Sequence, residues 1–464
     1  MKSAERKRLG FPMIRIERIG HRVRGLHPDH LRIARSAVWV SLFVLMGKSA
    51  GAFKEMAIAY RYGVGPVVDA YQLTFTLVTW LPGTAVTVLS AVLIPALVRL
   101  RKHDKIEQES FIGELQAWAL CLGVLFAGLL YFCWSPALRL MGGRLSLQTL
   151  QMSQALMVGM LPIGMLMLLI SIQAARLQSR ERHVNTLLEC VPAGTLLVAT
   201  LMFGQGHSIA PLVFGTSVGF VFQSIWLSVL ARRVDRIHPQ IRLSFKSPEW
   251  PSIWRSAGIF MLGQIAMSCV TPLDQYFVAH LGDGVIGTLG YANRVLALIL
   301  GMGALAVSRA TLPVFSDIRS KGDHRRARDF ALKWSGLMFL AALCAVLPAG
   351  IFAEHAIATL FQHGAFTSQN TAAVAQLFRW GLVQVPFYFS VLVMVQLLAS
   401  QERFKVMAII AILNFAVKAV ANVWLVKWLD VRGIMLATAL MHASSMMCYL
   451  VVSLKPTQDE LKNR

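Results

Sequence analysis

Three permanent cations stand where apolar helix should carry none: Lys48 and Lys54 in "MGKSAGAFKE" and Arg294 in "GYANRVLALILGMGAL". Lys48 follows roughly twelve helical residues, about 18 Å of rise, which carries it past the middle of a bilayer. Arg294 lies about ten residues, roughly 15 Å, inside its own segment. A charge at the membrane centre costs about 2.5–3.5 kcal/mol on insertion scales, so it persists where it finds a partner or a wet cavity. The chemistry open to such residues is recognition of an anion. Gly47 and Gly51 flank Lys48. They offer either a small-residue packing face or a loosened helix that turns Lys48 and Lys54 into a cavity. Glu55, Asp69 and Asp274 are the acidic residues to set against these cations. Asp69 opens an apolar run, where a helix N-cap competes with a substrate contact, and Asp274 is placed to neutralise Arg294 across a hairpin. Even with that pair formed, the balance stays basic and favours an anionic substrate. Arg309, Glu114 and Arg379 sit nearer helix ends, where snorkelling accounts for them.

The elements that position these residues are membrane helices. Of 464 residues, 56% are hydrophobic and 15% charged, with a mean hydropathy of +0.58, too little polarity to cover a soluble globule of this length. An all-α polytopic fold is expected, with about twelve apolar segments running from 36–58 to 433–453. The runs lack period-two alternation, which argues against a β-barrel.

Basic residues fall on one side of alternate segments. Ten lie in 1–35, six in 232–255 and six in 319–333, while loops such as "FGQGHSIAP" and "AHLGDG" are nearly bare. The positive-inside bias predicts a multi-pass membrane protein with both termini in the cytoplasm. The net charge of +22 follows from that topology and from anionic lipid headgroups, so no nucleic acid is implied. Residues 1–35 have no apolar core and read as a basic interfacial segment, not a secretory signal. The six cysteines are scattered without metal-ligand spacing and read as small hydrophobes, and no metal or cofactor is expected. A P-loop of the GxxxxGK[ST] type is absent, which argues against direct use of ATP.

The chain repeats itself. "TWLPGTAVTVLSAVLIPALVRL" (79–100) can be laid over "LILGMGALAVSRATLPVFSDI" (298–318), matching Gly83 to Gly301 and Pro95 to Pro313, and "RLQSRERHV" over "LLASQERFK" further on. Two six-helix lobes, 36–231 and 253–453, are predicted as parallel repeats about an axis along the membrane normal, joined by a cytoplasmic linker over 232–252 and followed by a tail over 454–464. Repeats of this kind enclose a cavity at their interface and rock around it.

"GKSAGAFKEMAIAYRYGVGPVVDAYQLTFTL" resembles the first two helices of the MurJ (MviN) family of lipid II flippases, whose pattern is S-R-x-x-G-x-x-R-[DE] followed by G-x-G-x-x-x-D-A-[FY]. "LDQYFVAHLGDGVIGTLGYANRVLALILGMGALAVSRATLPVFSDI" is similar to the family's helices seven and eight, and "TLFQHGAFTSQN" to its [LF]-F-x-x-G-x-F-T segment. The matches keep their order over essentially the whole chain. The resemblance implies the fold of the multidrug/oligosaccharidyl-lipid/polysaccharide exporter superfamily, with functional positions falling on Lys48, Lys54, Asp69 and Arg294. The chain departs from the pattern in carrying lysines for both helix-one arginines and Asn293 for an aspartate, and in lacking an arginine within helix two. Lysine keeps the charge but loses the bidentate fork. The family's usual fourteen helices compare with twelve expected here.

The expected activity is therefore alternating-access flipping of an undecaprenyl-diphosphate-linked glycan, either lipid II or a polysaccharide repeat unit, with Lys48, Lys54 and Arg294 drawing in the diphosphate. Glycan polymerases or assembly proteins are the protein partners to expect. A cation-coupled multidrug exporter of the same superfamily would need a carboxylate surplus in its cavity instead. A membrane enzyme acting on lipid-linked glycans would need a large loop bearing acid/base groups, whereas His355, His363 and Glu354 stand isolated in short loops.

Overall fold

A computed structural model describes residues 28–101, 103–180, 184–204, 206, 208–320 and 324–454, with the backbone alone for 28–41. Most of the basic segment 1–35 and of the tail 454–464 lies outside the described residues, as does the side chain of Arg309. Every described element is a helix. In the first half, α1 (Pro28–Tyr62), α2 (Pro66–Leu100), α3 (Lys105–Met141), the bent pair α4 (Leu147–Met160) and α5 (Ile163–Gln178), α6 (Val184–Leu188) with α7 (Val191–Phe203), and α8 (Ala210–Asp235) run alternately between two faces. The second half repeats this with α9 (Trp250–Ser268) and α10 (Val270–Ala279), α11 (Val285–Ser320), α12 (His324–Ile351), the short α13 (Ala353–Phe361), the bent pair α14 (Ser368–Leu382) and α15 (Val385–Ser400), α16 (Phe404–Leu429) and α17 (Val431–Leu454). The face bearing the charged loops is called the basic face, and the other the opposite face. α2 and α11, of 35 and 36 residues, occupy equivalent places as second helices, in keeping with the repeat.

Eight of the described helices are long and apolar enough to span a bilayer, or ten if each bent pair is one span, so the expected twelve is not reached by that measure. The other two expected segments are α1, whose first side chains lie outside the described residues, and α9/α10, which is broken at Cys269. The bends have covalent causes. Pro162 separates α4 from α5 at 42°, and Pro386 stands in the first turn of α15 after a 44° bend. Proline lacks the N–H that would continue the ladder and is tolerated at a helix start. Large apolar side chains such as Phe132 and Trp428 lie 79% and 76% exposed, which suits a surface whose solvent is hydrocarbon.

The core shows how the halves meet. Near the opposite face one continuous cluster joins both lobes, including Ile58, Val68 and Leu156 from the first and Ile286, Tyr291 and Leu296 from the second. Toward the basic face it divides. One cluster, around Leu97, Phe111 and Ile172, belongs to the first lobe together with the start of α9, and another, around Phe315, Leu397 and Tyr449, to the second. The lobes share one core at the opposite face and have separate cores toward the basic one, where they still touch through the start of α9.

The segment expected as a linker is fastened to the first lobe. α8 stays helical to Asp235, where Arg176 Nε and Nη2 donate to the carboxylate at 2.8 and 3.0 Å in a fully buried pair. The loop that follows is strapped to α3: Trp118 Nε1 donates to Ser244 O at 3.0 Å, Trp118 stacks on Phe245 at 4.2 Å, and Trp250 Nε1 donates to Glu114 Oε2 at 2.7 Å. Glu114 is 2% exposed, so it does not snorkel but anchors the linker. Arg379 does sit at the surface, 44% exposed, and donates to Gly350 O at 3.0 Å.

A basic cavity between the two halves

α1 runs unbroken through Gly47 and Gly51, so the helix is not loosened there. A Cβ at either glycine would meet nothing within 4 Å, so neither makes a tight packing face. Their effect is to leave one wall of a cavity bare: Gly51, Lys48, Lys54 and Glu55 from α1 face Arg294 and Leu298 from α11 across a space of about 190 Å³. That is larger than the roughly 150 Å³ of an engineered cavity that admits benzene, and this one is polar and placed between the lobes.

Glu55 is its pivot. Glu55 Oε1 lies 2.7 Å from Lys54 Nζ and 3.0 Å from Arg294 Nε, with side-chain exposures of 6% for Glu55, 15% for Lys54 and 43% for Arg294. Oε1 itself has no partner that meets hydrogen-bond geometry, so at that oxygen the two contacts act by charge. Arg294 engages Glu55 through Nε, which leaves both terminal nitrogens of the guanidinium for a second acceptor. Lys48 has no ion-pair or hydrogen-bond partner among the described residues, and its Nζ rests where a Cβ on Gly301 would come within 2.8 Å. Three cations thus meet one carboxylate. At about 4 Å and an effective dielectric of about 20, each uncompensated charge attracts an anion by about 4 kcal/mol before desolvation is counted. The sign of the cluster suits an anion better than an organic cation.

The two aspartates expected in the substrate site are elsewhere. Asp69, fully buried in the first turn of α2, accepts the backbone N–H of Gly284 and that of Gly287, the latter at 2.6 Å, at the start of α11. It is a helix cap, but for the other lobe's helix rather than its own, whose N-cap is Gly65. Asp274 does not pair with Arg294. Its Oδ1 lies 2.9 Å from Lys418 Nζ and accepts from Asn422 Nδ2 at 2.8 Å. Lys418 is 0% exposed and also donates to Ile434 O at 2.9 Å and Thr438 Oγ1 at 2.7 Å, so all three of its protons are taken.

Asp69 belongs to a set of contacts that joins the lobes at the opposite face. Tyr291 OH donates to Gly63 O at 3.0 Å, Ala365 N to Tyr60 O at 2.8 Å, and Thr149 Oγ1 to Asp283 Oδ1 at 2.9 Å. Gly63 and Gly364 adopt φ of +62°, where a side chain would be strained. The basic cavity is therefore closed off from the opposite face. On one flank of the bundle the lobes also touch through Trp80 Nε1 to Ser268 Oγ at 3.3 Å and Arg99 Nη2 to Ser252 Oγ at 3.0 Å.

The sequence signal for Lys418 was a lone lysine about 21 Å along an apolar helix, with Asn414 and Asn422 four residues to either side. Glu55 stood out as an acidic residue, but nothing local tied it to Arg294. No group of three or more His, Cys, Asp or Glu able to hold a metal occurs among the described residues.

The family model described as "Lipid II flippase MurJ" matches residues 58–461. The chain belongs to this family. Of its curated relatives, the probable lipid II flippase MurJ of Bdellovibrio bacteriovorus is 26% identical over 52% of this chain and 47% of the relative. That of Buchnera aphidicola is 22% identical over 88% of this chain and 81% of the relative. Among solved structures, a lipid II flippase MurJ in an inward closed conformation superposes with a TM-score of 0.78 at 18% identity, covering 92% of this chain and 89% of that one. An inward-facing multidrug resistance MATE family transporter superposes at 0.72 and 14% identity, covering 88% and 93%. The structural likenesses show that this chain shares the fold of these transporters. The family model carries the membership.

Proposed function

We propose that the chain is a flippase for a polyprenyl-diphosphate-linked glycan in the bacterial inner membrane, with lipid II the substrate its relatives' names point to and a polysaccharide repeat unit the alternative glycan. The observation that carries the reading is the interlobe cavity in which Lys48, Lys54 and Arg294 outnumber Glu55. A diphosphate entering from the basic face, taken as cytoplasmic, meets Lys48 and the terminal nitrogens of Arg294, which have no partner among the described residues, and competes with Glu55 for Lys54. The headgroup stays in the cavity while the polyprenyl chain remains in lipid between α1 and α11. Breaking the contacts at the opposite face and closing the basic one then exposes the headgroup on the other side. Nothing covalent is made or broken. A multidrug exporter of the same fold is disfavoured by the sign of this cavity, which would repel an organic cation. Polymerases or assembly proteins that consume the flipped lipid are the partners to expect.

The test is reconstitution into proteoliposomes with lipid II or a polyprenyl-diphosphate oligosaccharide. Lys48→Ala and Arg294→Ala should each abolish translocation of the lipid-linked glycan while membrane levels stay normal. Translocation at the parental rate by both variants would show the anion site to be wrongly assigned. The substrate of the two that is flipped names the glycan.

A further inference from the structure

The loop that follows α8 does not simply cross the basic face. It runs down along α3 and comes back. His238 N donates to Glu109 Oε1 at 3.2 Å, Gln240 lies against Gly113, where a Cβ would strike its carbonyl oxygen, and Ser244 O accepts from Trp118 Nε1 at 3.0 Å. From Glu109 to Trp118 the helix advances nine residues, about 13 Å of rise. The chain then returns one turn, Ser247 N and Trp250 Nε1 donating to Glu114 Oε2 at 3.4 and 2.7 Å. Phe245 stands at the lowest point, stacked on Trp118 at 4.2 Å and edge-on to Trp250 at 5.0 Å.

The level of that point is fixed by α3. Glu114 is its last charged residue before Arg139, and the stretch between them is long enough to cross the hydrocarbon. Trp118 therefore stands about one turn inside the basic edge of the bilayer, in the layer where tryptophans concentrate. The apolar side chains of the loop at this level are uncovered by protein: Ile241, Leu243 and Phe245 are 63%, 67% and 50% exposed. Trp254, at the start of α9, is exposed as well. Exposed cations are interleaved with them. Arg242 spends one nitrogen on Gln240 Oε1 at 2.8 Å, Lys246 follows Phe245, and Arg232, Arg233 and Arg236 end α8. The acidic groups nearby are already engaged, Glu109 and Glu114 by the loop and Glu249 by Arg99 at 3.6 Å.

We propose that this loop is seated in the leaflet at the basic face, with Leu243 and Phe245 among the first acyl carbons and Arg242 and Lys246 on the phosphates of anionic glycerophospholipids. Apolar side chains entering the headgroup boundary beneath a basic rim are the pattern of a segment that lies on a membrane, and long basic side chains reach from that depth to the phosphates. A protein partner fits less well, because it would have to descend below the headgroups to cover Leu243 and Phe245. The contacts to Glu109, Glu114 and Trp118 tie the seat to the first lobe, so the loop holds that lobe, and not the second, to the lipid surface. This surface stands apart from the proposed translocation and does not depend on it.

The test places the photoreactive residue p-benzoylphenylalanine at Leu243 of the full chain, in nanodiscs of equimolar phosphatidylglycerol and phosphatidylcholine. Irradiation should give lipid adducts at 243, and the same residue at His238, higher along α3, should give few. Among the adducts at 243 phosphatidylglycerol should exceed phosphatidylcholine about fivefold, the effect of one basic side chain near an anionic surface. Arg242→Gln combined with Lys246→Gln, both on exposed side chains, should bring that ratio toward one while lipid adducts persist through the apolar seat. Three results would overturn the proposal: lipid adducts no more frequent at 243 than at 238, the two lipids captured equally by the parent loop, or adducts to another protein in place of lipid when the same chain is irradiated in native membranes.

Discussion

Replacing Asp69 by Asn separates two roles for this carboxylate, since a substrate contact and an interlobe cap respond differently. Asp69 holds the N–H groups of Gly284 and Gly287 at the start of α11. Hydrogen bonds to a charged acceptor contribute about 1.5–3 kcal/mol each, and a carboxylate at a helix N-terminus adds about 0.3–1 kcal/mol. Asparagine keeps one neutral acceptor and turns an amide NH₂ toward the second backbone N–H, so one buried donor loses its partner. The net loss is about 3 kcal/mol, which moves the ratio of sealed to unsealed opposite face on the order of 10²-fold. The reporter is a cysteine at Val64, whose side chain lies within 3.5 Å of the position a Cβ on Gly284 would take. In nanodiscs both faces are accessible, so orientation does not enter. Val64→Cys should react with a bulky maleimide far faster in the Asp69→Asn background than in the parent. The reasoning is refuted if the labelling rate does not change while Asp69→Asn abolishes binding of the lipid-linked glycan, because Asp69 would then be a ligand of the headgroup.

Two further outcomes follow from groups outside the cavity. Lys418→Met strips a buried carboxylate of its ammonium and should lower stability by about 3–5 kcal/mol, whereas adding Asp274→Asn should restore most of it; thermal unfolding in detergent reads both, and equal destabilisation by the single and the double variant would deny the pair a structural role. Trp250→Phe removes the donor to Glu114 and should raise the rate of tryptic cleavage at the exposed Arg242 and Lys246 about fivefold, with cleavage confined to inverted vesicles if the basic face is cytoplasmic.

How much of this was legible in the sequence depended on whether the partner was near in the chain. Hydropathy marked the helices because each must satisfy its backbone internally in lipid. Composition alone does not tell one bent crossing from two short helices, as at Cys269 and at the two bent pairs. Lys48, Lys54 and Arg294 were legible because a cation at such depth is costly whatever surrounds it. Asp69 and Asp274 were read on the same logic, but their partners are backbone N–H groups more than two hundred residues away and a lysine on α16. The linker looked like a hinge by composition, yet Trp118, Phe245 and Trp250 form an aromatic clasp that fastens it to the first lobe. Sequence distance hides such contacts because only the fold brings the two sides together.

Charged residues in this bundle divide by how fully they are consumed. Arg176 and Asp235 are 2% and 3% exposed and bond to each other through two nitrogens. Lys418 spends all its protons, and Asp69 both of its oxygens. Such groups fix helices in place, and no ligand can use them without breaking the fold. The cavity cations are incompletely matched: one carboxylate oxygen serves Lys54 and Arg294 together, Arg294 remains 43% exposed, and Lys48 has no partner among the described residues. A site that must bind a diphosphate, carry it and let it go requires this intermediate state. Full pairing would leave no attraction for the headgroup, and three bare cations without Glu55 would hold it too tightly to release. In the proposed cycle Glu55 is the internal competitor whose return to Lys54 and Arg294 would offset the loss of the departing phosphates, and its position on α1, opposite Arg294 on α11, would couple that exchange to the approach of the two lobes.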